Sequence, residues 1–430
     1  MSLFRRVATG SVANLAGIAM SAMLQILSVP LLVTAWGQEQ FGIWMMLTTI
    51  PTYFALTDLG FAQAATTDMT INTARGDSAT ALATFQSVGL LFLFSSSVLV
   101  LASTLLLAIA EWGEGFRQYW IVENARIIVL LVGYAALALL SRVTLAGFRA
   151  TGHYALGTIS YDSMVLVEGI AGLTVAYLGG GFESVAITLA LCRLLSMGLL
   201  YMLLRAKVPW LYYGLDHANV AEVKRLLGPS IAALAIPIAL AVNLQGSVLV
   251  VGAVLSPAVV ALFVPVRTAS RLVIQMIGVV NRATMPEIGR ASGENAGAAM
   301  KKLLKLNLLV IVLVLVPGGL LFAMLGQQLL NLWSGGHLAP PATFVEIMAL
   351  AMVLHGGWYF ISNILLATNS HATISRFLLI SSFVSLLIFV ACSREYGLIG
   401  VAIGAALSEL LNCLGVVGAV WKRTRYRFNA

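Results

Sequence analysis

Charged side chains are scarce in this chain. Asp, Glu, Lys and Arg make up 10% of its 430 residues, while 60% are hydrophobic and the mean hydropathy is +0.95. Soluble globular domains carry about 25% charged and about 45–50% apolar residues, so this composition excludes one. Long continuous apolar runs, rather than short alternating ones, are typical of membrane-spanning helices. We therefore predict an all-α integral membrane protein.

Cysteine is also rare, and the spacings that mark catalytic or metal sites are missing. Cys192, Cys392 and Cys413 each lie in an apolar run, which excludes a disulfide framework or a cysteine-ligated metal. The sequence has no H-E-x-x-H, no CxxC pair, no nucleophile elbow and no large polar loop. We predict no metal, no cofactor and no enzyme, and we keep a membrane-embedded enzyme only as an alternative from another functional class.

The apolar runs predict about twelve spans and no soluble domain. We divide the chain into an N-terminal six-helix lobe (1–205), a cytoplasmic interfacial linker (206–228) and a C-terminal six-helix lobe with a basic tail (229–430). The first run continues well past the length of a signal-peptide core, so we expect a retained first helix. The predicted spans are 12–35, 41–66, 85–110, 127–150, 155–178, 184–205, 229–254, 258–282, 303–326, 343–369, 374–392 and 398–421.

Basic residues are distributed unevenly between the predicted loops. On the twelve-span arrangement, 18 of the 25 Lys and Arg residues lie on the side that holds both termini. Cytoplasmic loops carry this excess, so we expect both termini in the cytoplasm. The net charge of +8 then reflects topology and contact with anionic membrane lipids, and gives no reason to invoke nucleic acid.

The two halves of the chain resemble one another. GFESVAITLALCRLLSMG from Gly181 aligns without gaps on GLIGVAIGAALSELLNCL from Gly397. Six spans per half is an even number, so the repeat is parallel and we expect a central cavity between the lobes. The alignment sets Arg193 opposite Glu409, which is either a structural pair or a coincidence.

The run from Ala258 to Arg282 contains two arginines inside an otherwise aliphatic span. Arg267, Arg271 and Gln275 fall on one face of the predicted helix. A central arginine costs about 2.5–3.5 kcal/mol on insertion scales and therefore faces a partner or a wet cavity. Two interpretations stay open: the seam receives an anionic ligand, or buried acids neutralise it and it only holds the bundle together.

Three stretches carry a resemblance to a known family. LLVTAWGQEQFGIWMML from Leu31, TDLGFAQAATTDM from Thr57 and GLIGVAIGAALSE from Gly397 resemble bacterial lipid-linked oligosaccharide flippases, the O-antigen and polysaccharide exporters. These belong to the multidrug, oligosaccharidyl-lipid and polysaccharide exporter superfamily. The resemblance implies a two-lobed, alternating-access transporter that carries an undecaprenyl-pyrophosphate-linked sugar unit outward. It also implies a location in the bacterial inner (plasma) membrane and contact with other polysaccharide-assembly membrane proteins.

A flippase forms no covalent bond and needs charge compensation for a pyrophosphate and polar or aromatic contacts for sugars. Arginine suits the first task because its planar fork binds phosphate oxygens in pairs. Helix packing explains such polar residues equally well, and an ion-coupled drug or metabolite exporter is the alternative function. The predicted substrate-binding residues are Arg267, Arg271, Arg142, Gln275, Gln25, Asp58 and Trp44, and those for ion coupling are Asp162 and Glu168, with His355 as either a protonation switch or a packed residue.

Overall fold

The computed structural model describes residues 3–54, 58, 60–112, 123–293, 297–367 and 371–428. These residues form helices and no strand, which confirms the all-α class. The helices are α1 (Leu3–Leu47), α2 (Thr49–Phe54), α3 (Phe61–Ala74), α4 (Ser78–Trp112), α5 (Ala125–Ala150), α6 (Tyr154–Tyr177), α7 (Phe182–Lys207), α8 (Val220–Val254), α9 (Pro257–Gly293), α10 (Gly297–Trp333), α11 (Ala342–Ala367) and α12 (His371–Phe428).

Two of these helices are interrupted by a glycine. Gly37 in α1 has φ 79° and Gly397 in α12 has φ 57°, a region that only glycine enters readily. Ten stretches of the described residues are long and apolar enough to span a membrane, and two of them, Thr9–Phe54 and Ser375–Gly418, contain these breaks. When each broken stretch is counted as two helices, the described residues provide about twelve membrane helices, as the sequence predicts.

The second span differs from the prediction of one continuous helix over 41–66. Helix α2 ends at Phe54, and α3 begins only after Gly60, whose φ is 74°. Asp58 accepts a hydrogen bond from the amide of Gly60 (2.6 Å). Pro51 lacks an amide donor and Gly60 adopts a left-handed conformation, and neither sustains a long straight helix.

The chain divides into two compact units, here called the N unit (Met1–Trp36 and Leu47–Leu234) and the C unit (Gly37–Met46 and Ala235–Ala430). The lobe boundaries at 205 and 229 stay a prediction.

The connection between α7 and α8 is packed into the N unit. Val208 and Leu211 are buried in the same apolar core as Phe85, Phe148 and Leu204. Polar contacts add to this packing, with the amide of His217 donating to Gln86 Oε1 (2.8 Å) and that of Asn219 to Ser87 Oγ (2.8 Å). The connection is therefore an ordered segment of the N unit. Burial in this segment raises the pKa of the Tyr213 phenol above the usual range.

The C unit contains small buried apolar clusters and leaves many large apolar side chains on its surface. Its core includes Ile277 of α9, Ile311 and Leu315 of α10 and Phe360 of α11. Along α10, large apolar residues are more than half exposed, as expected of a helix that faces lipid tails; they include Leu313, Leu320, Leu321, Met324, Leu329 and Leu332.

Candidate functional site

The intramembrane arginines of the N unit each have an acidic partner. Arg142 on α5 donates to Asp58 Oδ2 at 2.9 Å. Arg193 on α7 lies 2.7 Å from Glu168 on α6, with both side chains at most 3% exposed. For these two arginines, the acids that the structural interpretation requires are present.

The two arginines of α9 are in a different situation. Among the described residues, neither Arg267 nor Arg271 forms an ion pair with a carboxylate. Arg267 Nη1 donates to the carbonyl of Leu244 (2.7 Å) and to Ser247 Oγ (2.8 Å). Its guanidinium carbon lies 4.8 Å from the centroid of the Phe263 ring. These neutral contacts orient the cation and leave its charge available to a ligand.

Both arginines line one cavity of the C unit, with an empty volume of about 530 Å³. Helices α8, α9, α11 and α12 form its walls, so residues distant in sequence meet there. Gln275, one turn further along α9, is half-buried and does not line the cavity. The other polar residues of the lining are Asn243, Ser247, Ser270, His355, Ser408 and Glu409.

Glu409 is the carboxylate of this cavity, and two neighbours on α11 hold it. His355 Nδ1 lies 3.0 Å from Oε1, and Trp358 Nε1 donates to Oε2 at 2.6 Å. Short hydrogen bonds to a carboxylate stabilise its ionised form. The negative charge of Glu409 also attracts the guanidinium group of Arg271. The cavity therefore contains two guanidinium groups and one fixed carboxylate.

A second cavity of about 400 Å³ lies next to the first. Asn243, Leu244, His355 and Glu409 line both, so the His355 to Glu409 contact stands between them. The second cavity is also polar, because Ser381, Ser382 and Asn412 contribute to its walls.

The repeat alignment places Arg193 opposite Glu409, and the structure gives each residue a partner within its own unit. Arg193 pairs with Glu168, and Glu409 with His355. The sequence did not indicate that Glu409 and Trp358 form a site together. An acid inside the apolar last span was the available signal, but its partner lies 54 residues away on another helix.

The other predicted substrate contacts are spread over the chain. Asp58 and Arg142 are brought together as an ion pair. Gln25 is half-buried on α1, where its carbonyl accepts a hydrogen bond from Ser28 (3.1 Å). Trp44 is buried, with 4% of its surface exposed. A role in binding stays a prediction for each of them.

The two predicted coupling acids lie on the same helix in different surroundings. Glu168 is held by Arg193, which also donates to the hydroxyl of Tyr134 (2.9 Å). Asp162 is half-buried and lies so close to Gly17 of α1 that a side chain at position 17 would clash with its carboxyl group. Arg149 is the cation that acts on it. Ion coupling through either acid stays a prediction.

A metal site is not apparent in the parts of the chain that the structure describes, since no group of three His, Cys, Asp or Glu side chains is placed to hold an ion.

Comparison with known families finds one matching model. The model for "Polysaccharide biosynthesis protein" matches residues 36–337, which is 302 of the 430 residues. A comparison with curated proteins finds no match.

Solved structures of transporters share the fold at low sequence identity. The lipid II flippase MurJ in an inward closed conformation is 14% identical, with a TM-score of 0.69 over 96% of this chain and 87% of that one. An inward-facing multidrug resistance MATE transporter of the MOP superfamily is 15% identical, with a TM-score of 0.66 over 97% and 94% of the two chains.

A third similar structure is a MOP superfamily transporter from Pyrococcus furiosus, described as having a binding pocket of reverse polarity that suggests a different function. It is 13% identical, with a TM-score of 0.64 over 98% of this chain and 95% of that chain. At these identities the likeness shows the fold, which is that of the MOP superfamily transporters.

Proposed function

Because the chain belongs to the polysaccharide biosynthesis protein family, we propose that it is an alternating-access flippase. Its substrate is an undecaprenyl-pyrophosphate-linked oligosaccharide, which it moves from the cytoplasmic to the periplasmic leaflet for cell-surface polysaccharide biosynthesis. A lipid II flippase with the same fold is consistent with this proposal.

One observation carries the proposal. Of the four arginines that lie well away from the ends of the predicted spans, Arg142 and Arg193 have acidic partners, whereas Arg267 and Arg271 share a cavity and form no carboxylate ion pair with a described residue. Arginine in a membrane is costly unless something anionic compensates it. A pyrophosphate supplies that compensation.

The proposed chemistry is recognition without a covalent step. The guanidinium groups of Arg267 and Arg271 bind phosphate oxygens in pairs. Arg267 is oriented for this by Leu244 and Ser247, which occupy only its Nη1 atom. Preorganised donors bind more tightly because less conformational freedom is lost on binding.

The test is the double variant Arg267→Ala, Arg271→Ala in cells that depend on this chain. We expect normal membrane abundance and loss of surface glycan, with the lipid-linked glycan accumulating with its sugars toward the cytoplasm. Arg267→Lys retains part of the export, because lysine keeps the charge and loses the fork.

Arg394→Ala is the matched control, since Arg394 is an exposed arginine outside the cavity. It should leave export unchanged. Normal abundance with normal export in the double variant would refute substrate binding by these arginines.

A specific observation also favours an ion-coupled exporter of drugs or metabolites. Asp162 has no ion pair among the described residues, and a MATE multidrug transporter shares the fold. In a flippase or in an exporter, Asp162 would bind the coupling ion. Glu168 is the second candidate, because Arg193 already pairs with it. Transport by Asp162→Asn that no longer responds to an imposed sodium or proton gradient would support coupling.

The proposed location is the bacterial inner membrane with both termini in the cytoplasm, in contact with membrane lipids and other polysaccharide-assembly membrane proteins. The excess of Lys and Arg residues in the loops on the side of the termini supports the cytoplasmic placement. Reporter fusions test it: a periplasmic C-terminus would refute it. Fusions should read cytoplasmic after Arg75, Arg149, Asn219, Arg290 and the C-terminal tail, and periplasmic near Glu114 and His337.

A further inference from the structure

The cavity that contains the two arginines also contains the carboxylate of Glu409, which hydrogen bonds hold in place. Both oxygens of Glu409 are engaged, one with His355 (3.0 Å) and one with Trp358 (2.6 Å). The two donors share α11, and the ring of His355 is stacked at 6.1 Å on Tyr359 of that helix. The carboxylate is thus fixed at the cavity wall and forms no ion pair with Arg267 or Arg271.

A fixed negative charge beside an anion site weakens the binding of every anion. The ionisable side chains that line the cavity are Arg267, Arg271, His355 and Glu409. The two guanidinium groups and the carboxylate together leave a net charge of +1. Removing the charge of Glu409 would leave +2, and attraction for an anion grows in proportion.

A transporter gains from this weakening, because a site that binds its cargo too tightly does not release it. Resting on the flippase function proposed above, we propose that Glu409 is a built-in counter-charge. It lowers the affinity of the arginine site for a pyrophosphate-bearing lipid so that the lipid can leave. His355 and Trp358 are positioning residues that keep the carboxylate in place.

The proposal predicts that two different substitutions should have the same effect on binding. Glu409→Gln removes a negative charge, and His355→Lys adds a positive charge beside the retained carboxylate. Each raises the net charge of the cavity by one. Each should therefore tighten binding of farnesyl pyrophosphate roughly tenfold and slow its dissociation. Each should also lower the maximal transport rate and the substrate concentration at half-maximal transport.

The measurement is calorimetric titration of the full chain in nanodiscs of zwitterionic phosphatidylcholine, with farnesyl pyrophosphate as the probe. Size-exclusion profiles report folding, and His355→Lys keeps the test decisive if Glu409→Gln does not fold. Glu346→Gln is the matched control, because Glu346 is an exposed acid on α11 that does not line the cavity. It should bind the probe as the unmodified chain does.

The outcomes separate the two ideas. Unchanged affinity in Glu409→Gln and His355→Lys, with binding lost in Arg267→Ala, Arg271→Ala, would overturn the counter-charge and leave the arginine site standing. Tightening in only one of the two variants would also overturn it, since both add the same charge. If the unmodified chain does not bind the probe, or the double alanine variant binds it equally well, the arginine site fails and the counter-charge fails with it.

Discussion

Both units connect their fourth membrane span to their sixth through polar side chains, but with opposite charges. In the N unit, Arg193 on α7 donates to Tyr134 on α5. In the C unit, Glu409 on α12 contacts His355 and Trp358 on α11. Arg193 lies 12 residues after Gly181, and Glu409 lies 12 residues after Gly397. The repeat has therefore kept the position of a polar junction while its charge has changed.

The surroundings of the two junctions differ as much as their charges. The N-unit cation has a full counter-charge in Glu168, and both side chains are at most 3% exposed. The C-unit carboxylate is held by two ring nitrogens, is 17% exposed and opens onto cavities. A sealed ion pair suits a structural role. A carboxylate at a cavity wall, with neighbours that leave its charge in place, suits a role toward a ligand.

The largest loss of stability is expected from breaking the buried ion pair of Arg193 and Glu168. Glu168→Gln leaves the buried guanidinium of Arg193 without a counter-charge, which should cost about 3–5 kcal/mol of stability. Thermal unfolding of the purified chain and its abundance in membranes measure this. The double variant Glu168→Gln, Arg193→Met should recover much of the loss, since it removes both charges. A loss below about 1 kcal/mol in the single variant would contradict the structural role.

A smaller effect is expected at the C-unit junction. His355→Ala removes one hydrogen bond to a carboxylate that keeps Trp358, and His355 is 22% exposed. We expect a stability loss of about 1.5 kcal/mol. His355→Gln, which can still donate to Glu409, should lose less. If His355→Ala destabilises as much as Glu168→Gln in the same unfolding assay, the contrast between the junctions is wrong.

Tyr134→Phe tests how much one hydrogen bond contributes to the Arg193 junction of the N unit. It removes only the hydroxyl that accepts from Arg193, and the guanidinium keeps Glu168 and the ring faces of residues 134 and 161. The expected loss is about 0.5–1.5 kcal/mol in unfolding experiments. Transport by this variant should be unaffected, whereas Trp358→Phe, which frees Glu409 Oε2, should alter transport. Equal transport by both variants would argue against the distinction.

The smallest effect is expected from an ion pair in water. Arg225 donates to both carboxylate oxygens of Asp68 (2.6 and 2.8 Å), and its side chain is 46% exposed. Because solvent screens this pair, Asp68→Asn should cost less than about 1 kcal/mol, and less at high salt.

The same pair predicts a pH dependence. Burial raises the pKa of the Asp68 carboxyl, but hydrogen bonds from Arg225 and Thr84 outweigh burial and lower it. The pair therefore stabilises the fold fully above the unfolded aspartate pKa of about 4, and this contribution is lost as the pH falls through the lower folded value. Unfolding of the unmodified chain and of Asp68→Asn, measured from pH 7 downward, would show it as a difference in stability that shrinks as the pH falls. A contribution that grows as the pH falls would contradict the assignment.

Several parts of this architecture follow from the sequence. Apolar runs predicted twelve crossings, and the gapless alignment of Gly181 with Gly397 predicted which residues occupy equivalent places in the final helices. The spacing of Arg267 and Arg271 placed them on one face of α9, and both line the same cavity. Periodicity succeeds here because a helix in lipid must satisfy its backbone internally, so its geometry follows from its own residues.

Partner choice did not follow from the sequence. Asp58, Asp162, Glu168 and Glu409 were all possible counter-charges for the arginines of α9, yet Asp58 pairs with Arg142 and Glu168 with Arg193. The second span was predicted as one helix, although Pro51 and Gly60 stand where it breaks. In both cases the outcome depends on which helices are neighbours.

The sequence by itself therefore determined the class of protein, the approximate number of membrane helices and the helix face that carries Arg267 and Arg271. These are local properties, set by hydropathy and by 3.6 residues per turn. Only the tertiary structure decided that Arg193 is sealed against Glu168 while Glu409 stands with His355 and Trp358 at a cavity wall. The physical reason is that a charge in a low-dielectric interior is governed by the few side chains within ion-pair and hydrogen-bond distance, and helix packing selects them from residues far apart in the chain.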